Sequence, residues 1–293
     1  MNYISFSDYA KSVYGDKVYK LSIEGGTTCP NRDGTIGYGG CIYCSAKGSG
    51  NFAESKDSVT AQLERAKKRV LSKCKSGKYI AYFQSFTVTH LPLEVFEEKI
   101  FEALSLDYIV GISLATRPDC LSDAVIGVIE RANKIKPVMV ELGLQTIHEN
   151  TALYIRRGYE LKIFDEAVAK LKKIGVHTVA HLIVGLPGES RDMIKQSAIY
   201  AAKHCDGIKL QMLHVLKETD LEKDYNAGKF SLFSLDEYAT LICDILSALP
   251  HGTVIHRLTG DGDKKELIAP MWTANKKLVI NTLNTAIKNT VHK

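Results

Sequence analysis

Three of the seven cysteines fall within sixteen residues, as Cys29-x11-Cys41-x2-Cys44, and the last two sit in the run Gly39-Gly40-Cys41-Ile42-Tyr43-Cys44. Thiolates are ligands for zinc and for iron–sulfur clusters, and a Cys-x2-Cys pair in a glycine-dense loop lets two sulfurs approach one centre without Cβ crowding. A closed structural zinc site takes four ligands. No histidine or fourth cysteine lies in this loop, and the nearest candidates, Cys74 and His90, fall in a presumed helix and at a strand end. Three thiolates on a [4Fe–4S] cluster leave one iron with an open position, where a substrate or cofactor can bind directly. Two other readings stay open: a zinc loop completed by a distant residue, and cysteines with no shared task. Cys74, Cys120, Cys205 and Cys243 are scattered singly, so the set is not a disulfide framework.

The elements that must position this loop follow a repeat. Apolar, β-rich runs occur at 18–23, 78–86, 108–115, 137–145, 176–186 and 207–216. Segments of helical periodicity lie between them, at 93–104, 122–132, 164–174 and 191–204. Near-continuous apolar strands alternating with amphipathic helices predict a parallel sheet covered by helices. The fold class is thus α/β, a partial barrel of six strand–helix units over residues 17–228, with an α/β extension over 229–293 that completes or covers it. The cysteine loop spans 25–51, directly after the first strand.

In such barrels polar residues that end apolar runs gather at the C-terminal mouth. The runs here end in Gln84-Ser85-Phe86-Thr87, Thr116-Arg117-Pro118-Asp119, Glu141-Leu142-Gly143-Leu144-Gln145, and Gly185-Leu186-Pro187-Gly188-Glu189. Glu141 shares a strand face with Gln145, and a carboxylate pointing into a barrel is costly unless paired, which favours a functional task. Arg156 and Arg157 follow the fourth run, and either is a surface salt-bridge residue or a group that meets an anion, since a guanidinium matches a carboxylate with two parallel hydrogen bonds. His177 and His181 alternate within one strand; either is a core histidine or a proton-transfer group.

Composition sets the outer bounds. The 293 residues are 45% hydrophobic and 24% charged, with a net charge of +5, the balance of a soluble globular chain and far from that of a nucleic-acid-coating protein. The first residues lack the pattern of a secretory signal, and no run is apolar enough to span a bilayer, which predicts a cytoplasmic protein without a membrane partner.

The cysteine loop resembles that of the radical S-adenosylmethionine (SAM) superfamily, in the expanded spacing of the Elongator catalytic subunit and its relatives. The resemblance implies a [4Fe–4S] cluster on Cys29, Cys41 and Cys44, with SAM chelated to the open iron and cleaved to methionine and a 5′-deoxyadenosyl radical. It further implies that Tyr43 packs near the adenine, that Thr87 lies by the methionyl amino group, and that Gln145 and Arg157 bind the ribose and carboxylate. Gly185 and Leu186 would form the adenine-side turn. Arg117, in a Thr-Arg-Pro-Asp motif similar to the Elongator type, joins Glu141 and His181 as a candidate catalytic residue. An electron donor such as flavodoxin or ferredoxin is implied as well.

Two further runs, Lys217-Glu218-Thr219-Asp220-Leu221 and His256-Arg257-Leu258-Thr259-Gly260-Asp261, resemble signatures of a short bacterial Elongator-like group of YtqA/YhcC type, also called MnmL. That likeness implies action on the tRNA wobble uridine, converting a 5-carboxymethylaminomethyl group to 5-aminomethyl. The partner would be a tRNA anticodon loop, whose bases can be splayed into a pocket. Lys67-Lys68-Arg69, Lys264-Lys265 and Lys276-Lys277 are candidate phosphate contacts or solvated faces. The alternatives are a radical SAM enzyme with a non-tRNA substrate and a zinc-stapled RNA-binding module without catalysis.

Overall fold

The computed structural model describes residues 3–46, 48, 57–260 and 262–291. The end of the cysteine loop at 49–51 and Asp261 of the second signature lie outside them. All six expected strands form: β2 (Tyr19–Ile23), β3 (Tyr79–Phe83), β4 (Ile109–Thr116), β5 (Val138–Gln145), β6 (His177–Val184) and β7 (Gly207–Met212). They lie in chain order, each parallel to the next. Leu21, Phe83, Leu114, Val140, Ala180 and Leu210 join the main apolar core, whereas Tyr82, Glu141, His181 and Lys209 line the barrel interior.

The sheet is wider than the six expected units. β9 (Val254–Arg257), which follows helix α9 (Leu235–Ala248) in the extension, pairs with β7, and the N-terminal β1 (Ile4–Ser5) pairs with β9, giving a parallel sheet of eight strands. The run at 207–216 breaks at Met212. There the chain turns over the barrel rim and buries Val215 in a separate apolar cluster, and β8 (Val215–Leu216) pairs antiparallel with β10 (Leu267–Ala269).

The helices that close the outer layer are α2 (Val59–Val70), α3 (Leu93–Leu104), α4 (Asp123–Asn133), α6 (Leu161–Lys173) and α7 (Arg191–His204). Their starts are written locally: Ser58, Ser122 and Ser190 each accept a backbone N–H with the side-chain oxygen, which satisfies one donor that a helix end leaves orphaned. Ser234 does the same for α9, with Glu237 completing a capping box.

Helix α1 (Phe6–Tyr14) plugs the opposite end of the barrel. Its Ala10 and Tyr14 pack with Val18, Ile80 and Met139, and Gly111 makes room, since a Cβ there would lie 2.8 Å from Tyr14 Oη. With the N-terminal end filled, the interior opens at the C-terminal ends of the strands. Among the described residues no helix is long and apolar enough to cross a membrane.

Candidate active site

The mouth of the barrel holds a cleft with about 1150 Å3 of open space, lined among others by Cys29, Cys41, Cys44, Tyr43, Thr87, Arg117, Glu141, Gln145, Arg157 and His181. Ten of the twelve residues singled out from sequence therefore share one wall system, although they derive from the cysteine loop, four strands and the segment after α5 (Glu149–Tyr154).

The cysteine loop is held from several sides. Cys29 O accepts from Arg32 N at 2.7 Å, Gly40 N donates to Asn31 O at 2.8 Å, and Cys44 N donates to Cys41 O at 3.0 Å. Asn31 Nδ2 lies 3.6 Å from Cys41 Sγ and 2.6 Å from Arg156 O, so one side-chain amide ties a thiol to the neighbouring segment. Arg32 Nη2 donates to Cys44 O at 2.8 Å and Ser45 O at 2.6 Å. Gly40 has φ +78°, and a Cβ there would meet Arg32 Nε at 2.9 Å, which is why the loop needs glycine at that point.

Ile42 is the loop's apolar anchor. It is buried with Ile155, Ile183, Leu186 and Leu221, its N–H donates to Ile155 O, and its carbonyl accepts from Leu221 N at 3.0 Å. Asp220 also pairs with Arg156. The run Lys217–Leu221, which stood apart as a signature in the sequence, thus holds the cysteine loop in place. Leu186 belongs to this anchor and does not line the cleft. Gly185 also turns away, and a Cβ on it would touch the Phe233 ring at 3.3 Å.

Burial pushes the Cys44 thiol up to about 11, with Arg32 pulling against it, and burial raises Cys41 as well. Such thiols shed their protons when a metal binds. Among the described residues no three His, Cys, Asp or Glu side chains are arranged to hold a single metal ion. A four-iron cube takes each thiolate on a different iron, so its sulfurs must face a common space and not a common point. Three thiols around one end of an open cleft, one of them near an amide N–H, fit that requirement.

Gln145 ends β5 with φ +65°, where a glutamine is strained, and Phe86 and Arg156 have φ of 54° and 55°. Three of the four non-glycine residues with positive φ among the described residues therefore border this site, the pattern expected where backbone strain serves function. Arg157 braces Gln145 from both flanks, with Nη1 donating to Leu144 O at 3.2 Å and Thr146 O at 2.6 Å. Its Nε donates to Tyr159 O and its Nη2 to Glu149, so all five N–H groups are engaged within the protein. Arg117 holds Asp119 through two hydrogen bonds of 2.9 and 2.7 Å, and it donates to Arg157 O. Asp119 is thus committed to Arg117, and the cap of α4 is Ser122.

The cleft floor is polar, and sequence reading found only part of it. Glu141, fully buried, accepts from Lys20 Nζ at 2.5 Å, Ser113 Oγ at 2.7 Å and His181 Nε2 at 2.9 Å, and from Lys209 Nζ. Burial alone would raise the carboxyl, but Lys20 and Lys209 outweigh it and hold Glu141 well below the usual range. Burial pulls Lys209 down to about 7 against the attraction of Glu141, and it pulls His181 down to about 4. His177 lies deeper, its Nε2 2.9 Å from His256 Nε2 and its ring stacked on Tyr9, away from the cleft.

Comparison with known proteins bears on this geometry. The profile of the Radical SAM superfamily matches residues 24–201, and that of the Radical_SAM C-terminal domain matches 205–289. The chain belongs to the radical SAM superfamily. As a radical SAM protein it is an enzyme that uses a [4Fe–4S] cluster and SAM, which sets aside a zinc-stapled module without catalysis. It is similar to YtqA of Bacillus subtilis (strain 168), 45% identical over 289 residues that cover 98% of this chain and 90% of that protein. It is similar also to YhcC of Escherichia coli (strain K12), 35% identical over 265 residues, 90% of this chain and 85% of that one. In fold it resembles the archaeal Methanocaldococcus infernus Elp3 with an N-terminal deletion (1–46), with a TM-score of 0.67 at 18% identity, covering 92% of this chain and 63% of that one. This chain is therefore an Elongator-like radical SAM protein.

Proposed function

We propose that this enzyme modifies the wobble uridine of tRNA, converting a 5-carboxymethylaminomethyl side chain to 5-aminomethyl. The observation that carries the reading is the cleft's lining, in which Arg32, Arg117, Arg157, Lys209 and Arg257 stand against a single carboxylate among the described residues, Glu141. Likeness to the Elongator-type fold supports it, and the +5 net charge permits a polyanionic partner.

In this reading Cys29, Cys41 and Cys44 hold the cluster, with Asn31 on the Cys41 sulfur. Tyr43, half-buried beside the cysteines and Tyr159, packs the adenine side. Thr87 and Gln145 offer polar groups to SAM, and Arg157 and Arg117 position Gln145 and the segment behind it. When bound, the cluster and SAM would supply a 5′-deoxyadenosyl radical able to take a hydrogen atom from the uridine side chain. Burial favours the neutral form of His181 and lowers Lys209 against the pull of Glu141, so the floor places two groups able to exchange protons beside that carboxylate. Lys264 and Lys265, exposed and next in sequence to Gly262 and Asp263 of the rim, would meet RNA phosphates. A flavodoxin or ferredoxin supplies the electron.

The test is the modified-nucleoside profile of tRNA from a strain lacking the gene. Accumulation of 5-carboxymethylaminomethyl nucleosides is expected. A normal profile contradicts the tRNA assignment and directs the search to another substrate of the same chemistry.

A further inference from the structure

A second chamber, with about 780 Å3 of open space, adjoins the cysteine cleft and shares Tyr43, Cys44 and Gln211 with it. A group seated in one space can extend a substituent into the other. The chamber is apolar at Ile183, Leu213 and Leu216, and its polar groups include Gln211, His214 and Asp263. Apolar walls with a few convergent polar groups are the usual make-up of a ligand site. The second sequence signature builds one side of this chamber. Gly260 N donates to Met212 Sδ at 2.9 Å, and a Cβ on Gly260 would lie 2.5 Å from His214 Cε1, so the backbone lies against the imidazole only with glycine there. A Cβ on Gly262 would stand 3.4 Å from His214 Cδ2. The chain then turns at Asp263, directly before β10. Asp263 Oδ1 accepts from Lys265 N at 3.0 Å, and its carbonyl accepts from Glu266 N and Leu267 N at 3.0 and 2.9 Å. Asp263 is thus fixed at the chamber wall, and it is the one carboxylate among the described residues lining it.

We propose that this chamber seats the uracil ring of the substrate, with the Asp263 carboxylate accepting the imide N3–H and the Gln211 amide donating to O4; the proposal rests on the tRNA reading above and deepens it. The order of groups along the ring edge, N3, O4 and then C5, matches the order of the walls. Asp263 lines the chamber alone, Gln211 lines both spaces, and the cysteines lie beyond it, so the 5-side chain points through the shared wall towards them. Cytosine differs at this edge, with an acceptor at N3 and a donor at N4. A carboxamide can turn to suit either ring, because its oxygen and nitrogen exchange places, but a carboxylate only accepts. Asp263 therefore supplies the discrimination, since a site built to accept a substrate N–H rejects the analogue that lacks it.

The experiment titrates the reconstituted holoenzyme with anticodon stem-loops that differ only in uridine or cytidine at the wobble position, by fluorescence anisotropy. SAM affinity is measured in parallel by equilibrium dialysis. The wild-type protein is expected to bind the uridine stem-loop roughly tenfold or more tightly than the cytidine one. In Asp263→Asn the ratio is expected to fall towards one, because the new amide can face either ring, with SAM affinity unchanged. Equal wild-type affinity for the two stem-loops overturns the seat, and that arm depends on no variant folding. A ratio that persists in Asp263→Asn places the discrimination outside this chamber and likewise overturns it. So does a loss of SAM affinity with the ratio intact, which assigns the chamber to SAM. If neither stem-loop binds, the wobble-uridine reading fails together with the seat; if both bind equally, only the seat fails.

Discussion

Lys20 Nζ lies 2.5 Å from Glu141 Oε1, tying the first strand of the barrel repeat to its middle across 121 positions of sequence. With Lys209 on the other carboxylate oxygen, the floor of the cleft is a buried charge network in which one anion serves two ammonium groups. Removing one partner of such a network leaves its counterpart charges uncompensated, at a cost of about 3–5 kcal/mol. Glu141→Gln is expected to lower the urea midpoint accordingly, with an unchanged dependence on denaturant. An unaltered midpoint contradicts the pairing.

The cysteines divide by position. Cys29, Cys41 and Cys44 line the cleft, whereas Cys74 is buried in the turn after α2, its sulfur 3.6 Å from Lys78 O. Alanine at any of the first three is expected to abolish iron loading and 5′-deoxyadenosine formation, and Cys74→Ala to preserve both. Iron content and nucleoside chromatography of the four variants check this, and equal loss in Cys74→Ala would mean a different ligand set.

Strain at Gln145 has a measurable consequence. At φ +65° a side chain costs about 1–2 kcal/mol that glycine does not incur, partly offset by the greater chain entropy of glycine. Gln145→Gly is expected to raise the melting temperature by roughly 2 °C while weakening SAM binding. A fall in both quantities would show that the glutamine contributes more to stability than its backbone costs.

Acid stability follows from the buried histidines. Burial pulls His177 and His181 down to about 4, below the ordinary imidazole value near 6.5. Between those values the unfolded chain binds more protons than the folded one, so stability falls as pH drops through the window from about 6.5 to 4. Lys209, at about 7, acts in the same sense at higher pH, adding stability as pH rises from about 7 towards the ordinary lysine range. Urea midpoints at pH 8, 7 and 5 are expected to decrease in that order; a higher midpoint at pH 5 contradicts burial of neutral imidazoles.

The parts of this site that follow local rules were legible in the sequence. Strand–helix alternation, serine caps, the cysteine spacing and a glutamate inside an apolar run each carry their signal within a few residues. The floor cations did carry a signal, a lysine in the middle of an apolar strand at Lys20 and Lys209, but period-two reading of those runs stops at their hydrophobicity. Asn31 and Arg32 act through contacts with residues distant in sequence, which no spacing encodes. Arg157 has the chemistry to bind a carboxylate, and its bonds to the carbonyls of Leu144, Thr146 and Tyr159 and to Glu149 depend on a loop path that only the fold determines. Leu186 ends a strand at the mouth, but the turn carries it under the cysteine loop and not into the cleft.

The central claim is tested most directly by incubating the anaerobically reconstituted protein with SAM, a low-potential reductant and tRNA from a strain lacking the gene. The expected result is a brown protein holding about four irons, as a [4Fe–4S] cluster requires, that forms 5′-deoxyadenosine and yields 5-aminomethyluridine at the wobble position. Formation of 5′-deoxyadenosine with unchanged tRNA would contradict the substrate, and a colourless protein inert towards SAM would contradict the chemistry itself.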